Sequence, residues 1–230
     1  MAFEYNFEGY QKILQNVCKN LIINMIFETQ CFFNIIFIQE PSWSFIYLLS
    51  SLKNSKGKDL VGVLNHPNLI TFSRNTTNIS DSSRVITYIN IRLISLYFSS
   101  HNNIFNYWDI SCISFVNCSL VYFLINIYSD SSQLALKYLK DIEVDINDIL
   151  IMTGDFNIRD CSWNLNFCFH SIYKDVLLNI ANSFYLEMFE STNHVLTKYS
   201  NNQQELDSVI NLMFFRLTSL KYDNHSIYPD

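Results

Sequence analysis

The segment ILIMTGDFN, residues 149–157, constrains the possible folds of this chain more than any other segment does. Ile149 to Thr153 are all apolar or β-branched, which predicts a strand buried on both faces. The strand runs through Gly154 into Asp155 and Asn157. Ligands of α/β proteins bind beyond the carboxyl ends of sheet strands, and a carboxylate delivered there is costly unless a cation meets it. A turn with a solvated Asp is the plainer alternative.

A second segment has the same arrangement. IIFIQEP, residues 35–41, is an apolar run whose first charged residue is Glu40, and Pro41 stops it. Each of the two segments thus ends in an acid with an amide side chain close by. Such a pair predicts a cradle of oxygen ligands for a hard divalent cation such as Mg²⁺.

Two further segments place polar residues in comparable positions. INIYSD, residues 125–130, closes an apolar strand with Tyr128, and ILQNV, residues 13–17, sets Asn16 in a short apolar stretch. Taken singly, Tyr128 fits an ordinary edge aromatic and Asn16 fits a turn or bulge residue. Their occurrence together with Glu40 and Asp155 favours a shared functional site.

In this order the four segments resemble the endonuclease/exonuclease/phosphatase superfamily. Its members carry an Asn on the first strand, a QE pair on the second, a Tyr-bearing strand end and then GDFN. The wording is similar to that of the endonuclease domain that precedes reverse transcriptase in non-LTR retrotransposons, and the similarity covers roughly residues 10–230. The resemblance implies a four-layer α/β sandwich, with two packed mixed β-sheets flanked by helices. It also implies DNA nicking that depends on Mg²⁺, with Mn²⁺ as the alternative ion.

The resemblance assigns a role to each of these residues. Glu40 is the main metal ligand and Asn16 supports it. Asp155 orients or deprotonates the attacking water, while Asn157 donates to a phosphate oxygen. Tyr128 hydrogen-bonds the phosphorane-like transition state. Each role suits its residue type, because Mg²⁺ prefers hard oxygen ligands and phosphate is stabilised by polar donors.

Two departures from the family pattern predict weak or absent activity. In SVINLMF, residues 208–214, Asn211 stands where the family carries an Asp that orients a catalytic His. The family's S-D-H motif on a final strand is expected beyond Asp230, so that strand is expected to be missing, and His225 does not replace its His. Thr197 falls near a Thr that similar endonucleases use beside the substrate. The alternatives are a silent retroelement remnant with at most weak metal or nucleic-acid binding, and a small-molecule phosphatase of the same superfamily.

Composition sets further bounds on the function. The 230 residues are 49% hydrophobic, which fits a single domain over residues 1–230. The net charge of −6 offers no general basic surface, so DNA binding is expected to be weak. Six cysteines without CxxC or His-paired spacing predict no zinc site. We expect an intracellular protein, nuclear or cytoplasmic, with no membrane segment, and the oligomeric state is left open.

Hydrophobic periodicity predicts alternating strands and helices. A first strand is expected at 11–17 and a first helix at 20–31, with later helices over 134–144 and 174–184. Ser131 or Ser132 is the expected cap of the helix at 134. The remaining strands are predicted at 34–40, 60–64, 68–73, 84–92, 110–117, 120–128, 149–153 and 208–215.

Overall fold

The computed structural model forms two compact units, residues 1–95 and residues 96–230. The predicted strand at 11–17 and helix at 20–31 lie outside the described residues. Whether the two units make up the single domain predicted from composition stays a prediction. The structure describes residues 34–41, 44–46, 60–62, 67–74, 83–142, 148–163, 169–189 and 211–216.

The first unit holds a three-stranded antiparallel sheet in the order β1-β5-β4, and a separate antiparallel pair of β2 with β3. The strand β5 is rich in β-branched residues and lies between β1 and β4, with which it pairs. Every residue of β5 is therefore buried. A 3-10 helix, Ile91–Leu96, follows it. The strands are β1 (Ile35–Gln39), β2 (Ser44–Ile46), β3 (Leu60–Gly62), β4 (Leu69–Phe72) and β5 (Val85–Asn90).

In the described part of the second unit, two helices accompany a six-stranded mixed sheet. Its elements are β6 (Ser99–Ser100), β7 (Ile110–Asn117), β8 (Leu120–Tyr128), α1 (Leu134–Asp141), β9 (Ile149–Asp155), α2 (Ile172–Ser183), β10 (Glu187–Met188) and β11 (Asn211–Phe215). The strand order is β10-β11-β9-β8-β7-β6. Only β8 and β9 pair in parallel among these described strands, since α1 carries the chain back between them.

The β7–β8 hairpin turns through Cys118 and Ser119, both of which have positive φ, at 49° and 67°. Two left-handed residues match the twist of the strands that they join, which keeps the long hairpin in register. The end of the hairpin near this turn is exposed, whereas the opposite end, from Leu124 to Tyr128, is buried. The core of the second unit therefore lies toward the carboxyl end of β8.

Both helices pack one apolar stripe on this core. In α1 the buried residues are Ala135, Leu136 and Leu139, and in α2 they are Leu177, Ile180 and Ala181. The core combines these stripes with the inner faces of β7, β8, β9 and β11 and with the loop after β9. Its largest fully buried members in this unit are Phe105, Ile110, Ile125, Ile127, Phe156 and Phe214.

Within the described residues, the structure confirms a mixed α/β fold with sheets of three and six strands beside the β2–β3 pair. The capping prediction is wrong, because Gln133 occupies the N-cap of α1 at a positive φ of 57° and makes no side-chain cap bond. In β9, Ile149, Met152 and Gly154 are buried and the other four residues are half-buried, so the strand is not fully buried on both faces as predicted. Within the part of the chain that the structure describes, no helix has the length and apolar character needed to cross a membrane.

Candidate functional site

Three predicted site positions lie in one row across the second unit's sheet. Tyr128, the last residue of β8, pairs with Asp155, the last residue of β9, in parallel register. Asn211, the first residue of β11, pairs with Asp155 from the other side in antiparallel register. Because parallel strands end at the same edge and an antiparallel neighbour begins there, the row lies at the edge where α/β proteins bind ligands.

Gly154 lets β8 and β9 approach closely beside this row. It is buried and pairs with Ile127 on β8. A Cβ atom at position 154 would lie 1.9 Å from the Ile127 carbonyl oxygen and 2.8 Å from the carbonyl carbon. Space alone therefore requires glycine in the GDFN segment.

A short network fixes the turn that follows Asp155. The Asn157 backbone N–H donates to Asp155 Oδ1 at 2.9 Å, and Asn157 has a positive φ of 48°, a conformation that asparagine adopts more readily than most residues. The Asn157 side-chain amide donates to the Ser129 carbonyl at 2.9 Å. The Ser129 N–H in turn donates to the Asp155 carbonyl at 2.8 Å. The ends of β8 and β9 are thus tied together through Asp155, Asn157 and Ser129.

Gln133 holds the same turn from the side of α1. It is buried, and its Oε1 accepts from the Ser129 hydroxyl at 2.9 Å. Its Nε2 donates to the carbonyls of Phe156 at 3.0 Å and Asn157 at 3.4 Å. The sequence reasoning missed Gln133 and Ser129. In the sequence, Gln133 is a polar amide between the end of one predicted strand and the start of the next predicted helix. It was overlooked because the helix cap was assigned to Ser131 or Ser132.

Of the other predicted site residues, Glu40 belongs to the first unit. Glu40 is exposed directly after β1 in the first unit, with a φ of 49°, and its N–H donates to the Arg84 carbonyl at 2.7 Å. Asn16 and Thr197 lie outside the described residues. For Asn211 the structure describes the backbone position only. The predicted convergence of Glu40 and Asn16 with Asp155 stays a prediction.

A second polar group lies five residues past Asp155, around the fully buried Asp160. Its Oδ1 accepts from the Ser162 N–H at 2.8 Å, and its Oδ2 accepts from the Ser171 N–H at 2.7 Å. Lys174 Nζ lies 3.7 Å from Oδ1. Burial alone raises the pKa of Asp160, but the Ser162 and Ser171 backbone hydrogen bonds, the Ser162 hydroxyl and the Lys174 charge lower it to about 2.

This lowered pKa predicts an acid-sensitive contribution to stability. The pKa falls from 3.8 to about 2 on folding, so the ionised carboxylate stabilises the fold by about 2 kcal/mol above pH 4. The contribution should be lost as the pH falls from about 4 to about 2. Urea unfolding across this range, in a buffer that contains a chelator, checks it. Asp160→Asn should lose about 2 kcal/mol at pH 7 and show less acid sensitivity, whereas exposed Asp148→Asn should follow the unchanged chain.

Cys161 and His170 adjoin this aspartate. Cys161 Sγ lies 3.2 Å from His170 Nδ1, and Asp160 Oδ1 lies 3.3 Å from the same nitrogen. The three ligand-type atoms all lie within 4.8 Å of one another, so the group is a possible metal site. The contact of Cys161 with His170 was not indicated by the spacing of the cysteines in the sequence. The two residues meet although they are nine positions apart, a spacing that matches no local metal motif.

Comparison with known proteins supports the fold assignment. No family model matches the sequence, and no curated protein matches it significantly. The fold is similar to the endonuclease domain of TRAS1, a telomere-specific non-LTR retrotransposon, with a TM-score of 0.57 and 14% identity over 84% of this chain and 76% of that chain. D. rerio TDP2, complexed with single strand DNA product, superposes with a TM-score of 0.40 and 13% identity over 88% and 77% of the two chains.

The TRAS1 likeness, at 14% identity, shows a shared fold and nothing finer. The TDP2 superposition is too loose to define a fold by itself. Together with the mixed sheets, the first likeness supports the α/β fold predicted from the sequence.

Proposed function

We propose that this chain is a divalent-metal-dependent phosphodiesterase domain of retrotransposon origin that nicks DNA. The observation that supports it most is the shared register of Tyr128, Asp155 and Asn211 at one sheet edge. Asn157 adds a fixed amide beside that row. The fold likeness to a retrotransposon endonuclease domain supports DNA as the substrate. An intracellular location, nuclear or cytoplasmic, goes with that substrate.

The donor set suits a hard cation. Asp155 supplies a carboxylate at the sheet edge, and Glu40 supplies an exposed carboxylate. Carboxylate oxygens are suitable ligands for Mg²⁺, with Mn²⁺ as the alternative. Glu40 is the proposed main ligand, with Asn16 supporting it. When bound, the ion would polarise the phosphate and stabilise the leaving oxygen.

The chain's own residues supply the remaining chemistry. Asp155 orients the attacking water or takes its proton, since its carboxylate is fixed by the Asn157 N–H at 2.9 Å. One hydrogen of the Asn157 side-chain amide bonds Ser129, and the other serves a phosphate oxygen. The Tyr128 hydroxyl stabilises the transition-state oxygens, and Thr197 contacts the substrate.

Asn211 weakens this proposed activity. A neutral amide cannot serve as the anion that orients and stabilises a protonated imidazole. Because Asn211 begins β11 directly opposite Asp155, the substitution falls within the proposed site. We therefore propose slow Mg²⁺-dependent nicking. The same observation, with the net charge of −6, supports the second candidate function, a silent remnant that retains at most weak metal or nucleic-acid binding.

A plasmid-nicking assay tests the proposal. The purified chain, in excess over supercoiled DNA, should produce open circles slowly with Mg²⁺ and none with a chelator. Asn211→Asp places a second carboxylate opposite Asp155, which should bind the divalent cation more tightly and raise the rate by about 10-fold.

The matched control is Asn182→Asp, the same chemical change on an exposed position of α2. It should leave the nicking rate unchanged. If none of the three proteins nicks DNA with Mg²⁺ or Mn²⁺, the phosphodiesterase proposal is wrong and the silent remnant is favoured. If all three nick at the same rapid rate, the proposed weakening by Asn211 is wrong.

A further inference from the structure

Three side chains of different chemistry meet where the loop after β9 reaches the start of α2. They are the buried Asp160 carboxylate, the partly buried Cys161 thiol and the exposed His170 imidazole. The sulfur lies 3.2 Å from His170 Nδ1, and the Asp160 Oδ1 lies 3.3 Å from that nitrogen. None of the three has a role in the proposed nuclease chemistry.

The geometry argues against a catalytic proton relay. In a nucleophile–histidine–carboxylate relay, the nucleophile and the carboxylate bond opposite nitrogens of the ring. Here the sulfur and the carboxylate oxygen both approach Nδ1, and Nε2 lies farther from the sulfur, at 3.5 Å. The ring therefore does not stand between the other two groups. The three ligand atoms instead all lie within 4.8 Å of one another.

We propose that Asp160, Cys161 and His170 form a zinc site, separate from the site at Asp155 and independent of the proposed nuclease activity. Bonds of about 2.0–2.3 Å in tetrahedral geometry put neighbouring ligand atoms about 3.3–3.6 Å apart. The measured separations of 3.2 and 3.3 Å are close to those values. Thiolate and imidazole ligands favour Zn²⁺ and disfavour Mg²⁺.

The surroundings orient the carboxylate in advance. The N–H groups of Ser162 and Ser171 hold the two oxygens of Asp160 at 2.8 and 2.7 Å. Such outer contacts fix the direction of a ligand before the ion arrives. Because Ser171 is also the N-cap of α2, bound zinc would link the loop after β9 to this helix. The exposed imidazole of His170 gives the ion access from solvent.

Lys174 is the competing cation. Its Nζ lies 3.7 Å from Asp160 Oδ1 and donates to the Ser162 hydroxyl at 2.6 Å. Without zinc it offsets the buried negative charge, and with zinc it repels the ion. Replacing it by a neutral side chain of similar length should therefore tighten metal binding while it leaves all three ligands unchanged.

Cobalt titration of the full chain tests the site. Co²⁺ is added to protein kept reduced by a phosphine, in excess Mg²⁺ that occupies hard oxygen sites, and thiolate-to-cobalt charge transfer is followed in the near ultraviolet. Zn²⁺ should then displace the Co²⁺. Cys161→Ser and His170→Gln should each weaken Co²⁺ binding by at least about 100-fold. Cys118→Ser, which removes an exposed thiol on the β7–β8 turn, should bind as the unchanged chain does.

Two further measurements separate lost binding from lost folding. Without metal, the Tm of Cys161→Ser and that of His170→Gln should match the Tm of the unchanged chain, because Cys161 and His170 are not core residues. Lys174→Met, which keeps every ligand, should tighten Co²⁺ binding on the order of 10-fold. The proposal is overturned by a chain without the charge-transfer band, by undiminished binding in Cys161→Ser or His170→Gln, or by binding in Lys174→Met that is no tighter.

Discussion

Asp155→Asn should reduce Mg²⁺-dependent nicking by about 10²–10⁴-fold, the usual contribution of a positioned general base. The substitution removes the negative charge of Asp155 and keeps the hydrogen bond that holds the turn. Asp155 Oδ1 accepts the Asn157 N–H at 2.9 Å, and an asparagine carbonyl oxygen at the same position can accept that bond. The turn after β9 should therefore persist while the anion and the proton acceptor are lost. The measurement is the rate of open-circle formation from supercoiled plasmid.

The control is Asp148→Asn, just before the other end of β9, where the carboxylate pairs with Arg216 at 3.1 Å on the surface. It should nick as the unchanged chain does. Glu40→Gln gives a complementary result: loss of a metal ligand should be partly recovered at higher Mg²⁺, whereas Asp155→Asn should not be rescued. Equal nicking by Asp155→Asn and the unchanged chain would remove Asp155 from the proposed mechanism.

Gly154→Ala should destabilise the second unit by about 3 kcal/mol, because the added methyl group meets backbone atoms that have no room to yield. The three nearest atoms all belong to Ile127, at 1.9, 2.8 and 3.1 Å. Relief requires β8 and β9 to separate at the edge that carries Tyr128 and Asp155. Urea unfolding and a fall in Tm of roughly 6–12 °C would report the effect.

Thr153→Val, at the adjacent position, is the matched comparison. Thr153 Oγ1 donates to the Leu212 carbonyl at 3.1 Å, so the change removes one hydrogen bond and adds no volume. It should cost about 1 kcal/mol. A Gly154→Ala chain as stable as Thr153→Val would show that the two strands are not held as closely as the structure has them.

Much of the fold was predictable because local periodicity decides it. The strands at 110–117 and 120–128 were predicted with the bounds that the structure has, and β9 extends only two residues beyond its predicted end. These segments carry their own signal, since alternating or continuous apolar residues end in turn residues. The row through Tyr128 and Asp155 was predictable for the same reason: each closes a strand of the same sheet.

What could not be predicted depends on contacts between distant parts of the chain. Gln133 reaches the carbonyls of Phe156 and Asn157, which are 23 and 24 positions away, and nothing in its neighbourhood marks that reach. The meeting of Cys161 with His170 depends on how one loop returns to α2, and no spacing rule covers it. The proposed binding of the metal by Glu40 likewise depends on tertiary structure, which local sequence patterns do not determine.

The parallel and antiparallel neighbours of β9 also have a consequence for the order of folding. Tyr128 and Asp155 come together through one compact strand–helix–strand segment, whereas the Thr153–Leu212 bond joins residues 59 positions apart. Closing the longer loop costs more chain entropy, so we expect β11 to dock after β8 and β9. During synthesis, Asp155 would then be in place before Asn211, the residue with which it pairs in β11, has been added to the chain. Any nicking that needs the full row would begin only when β11 is in place.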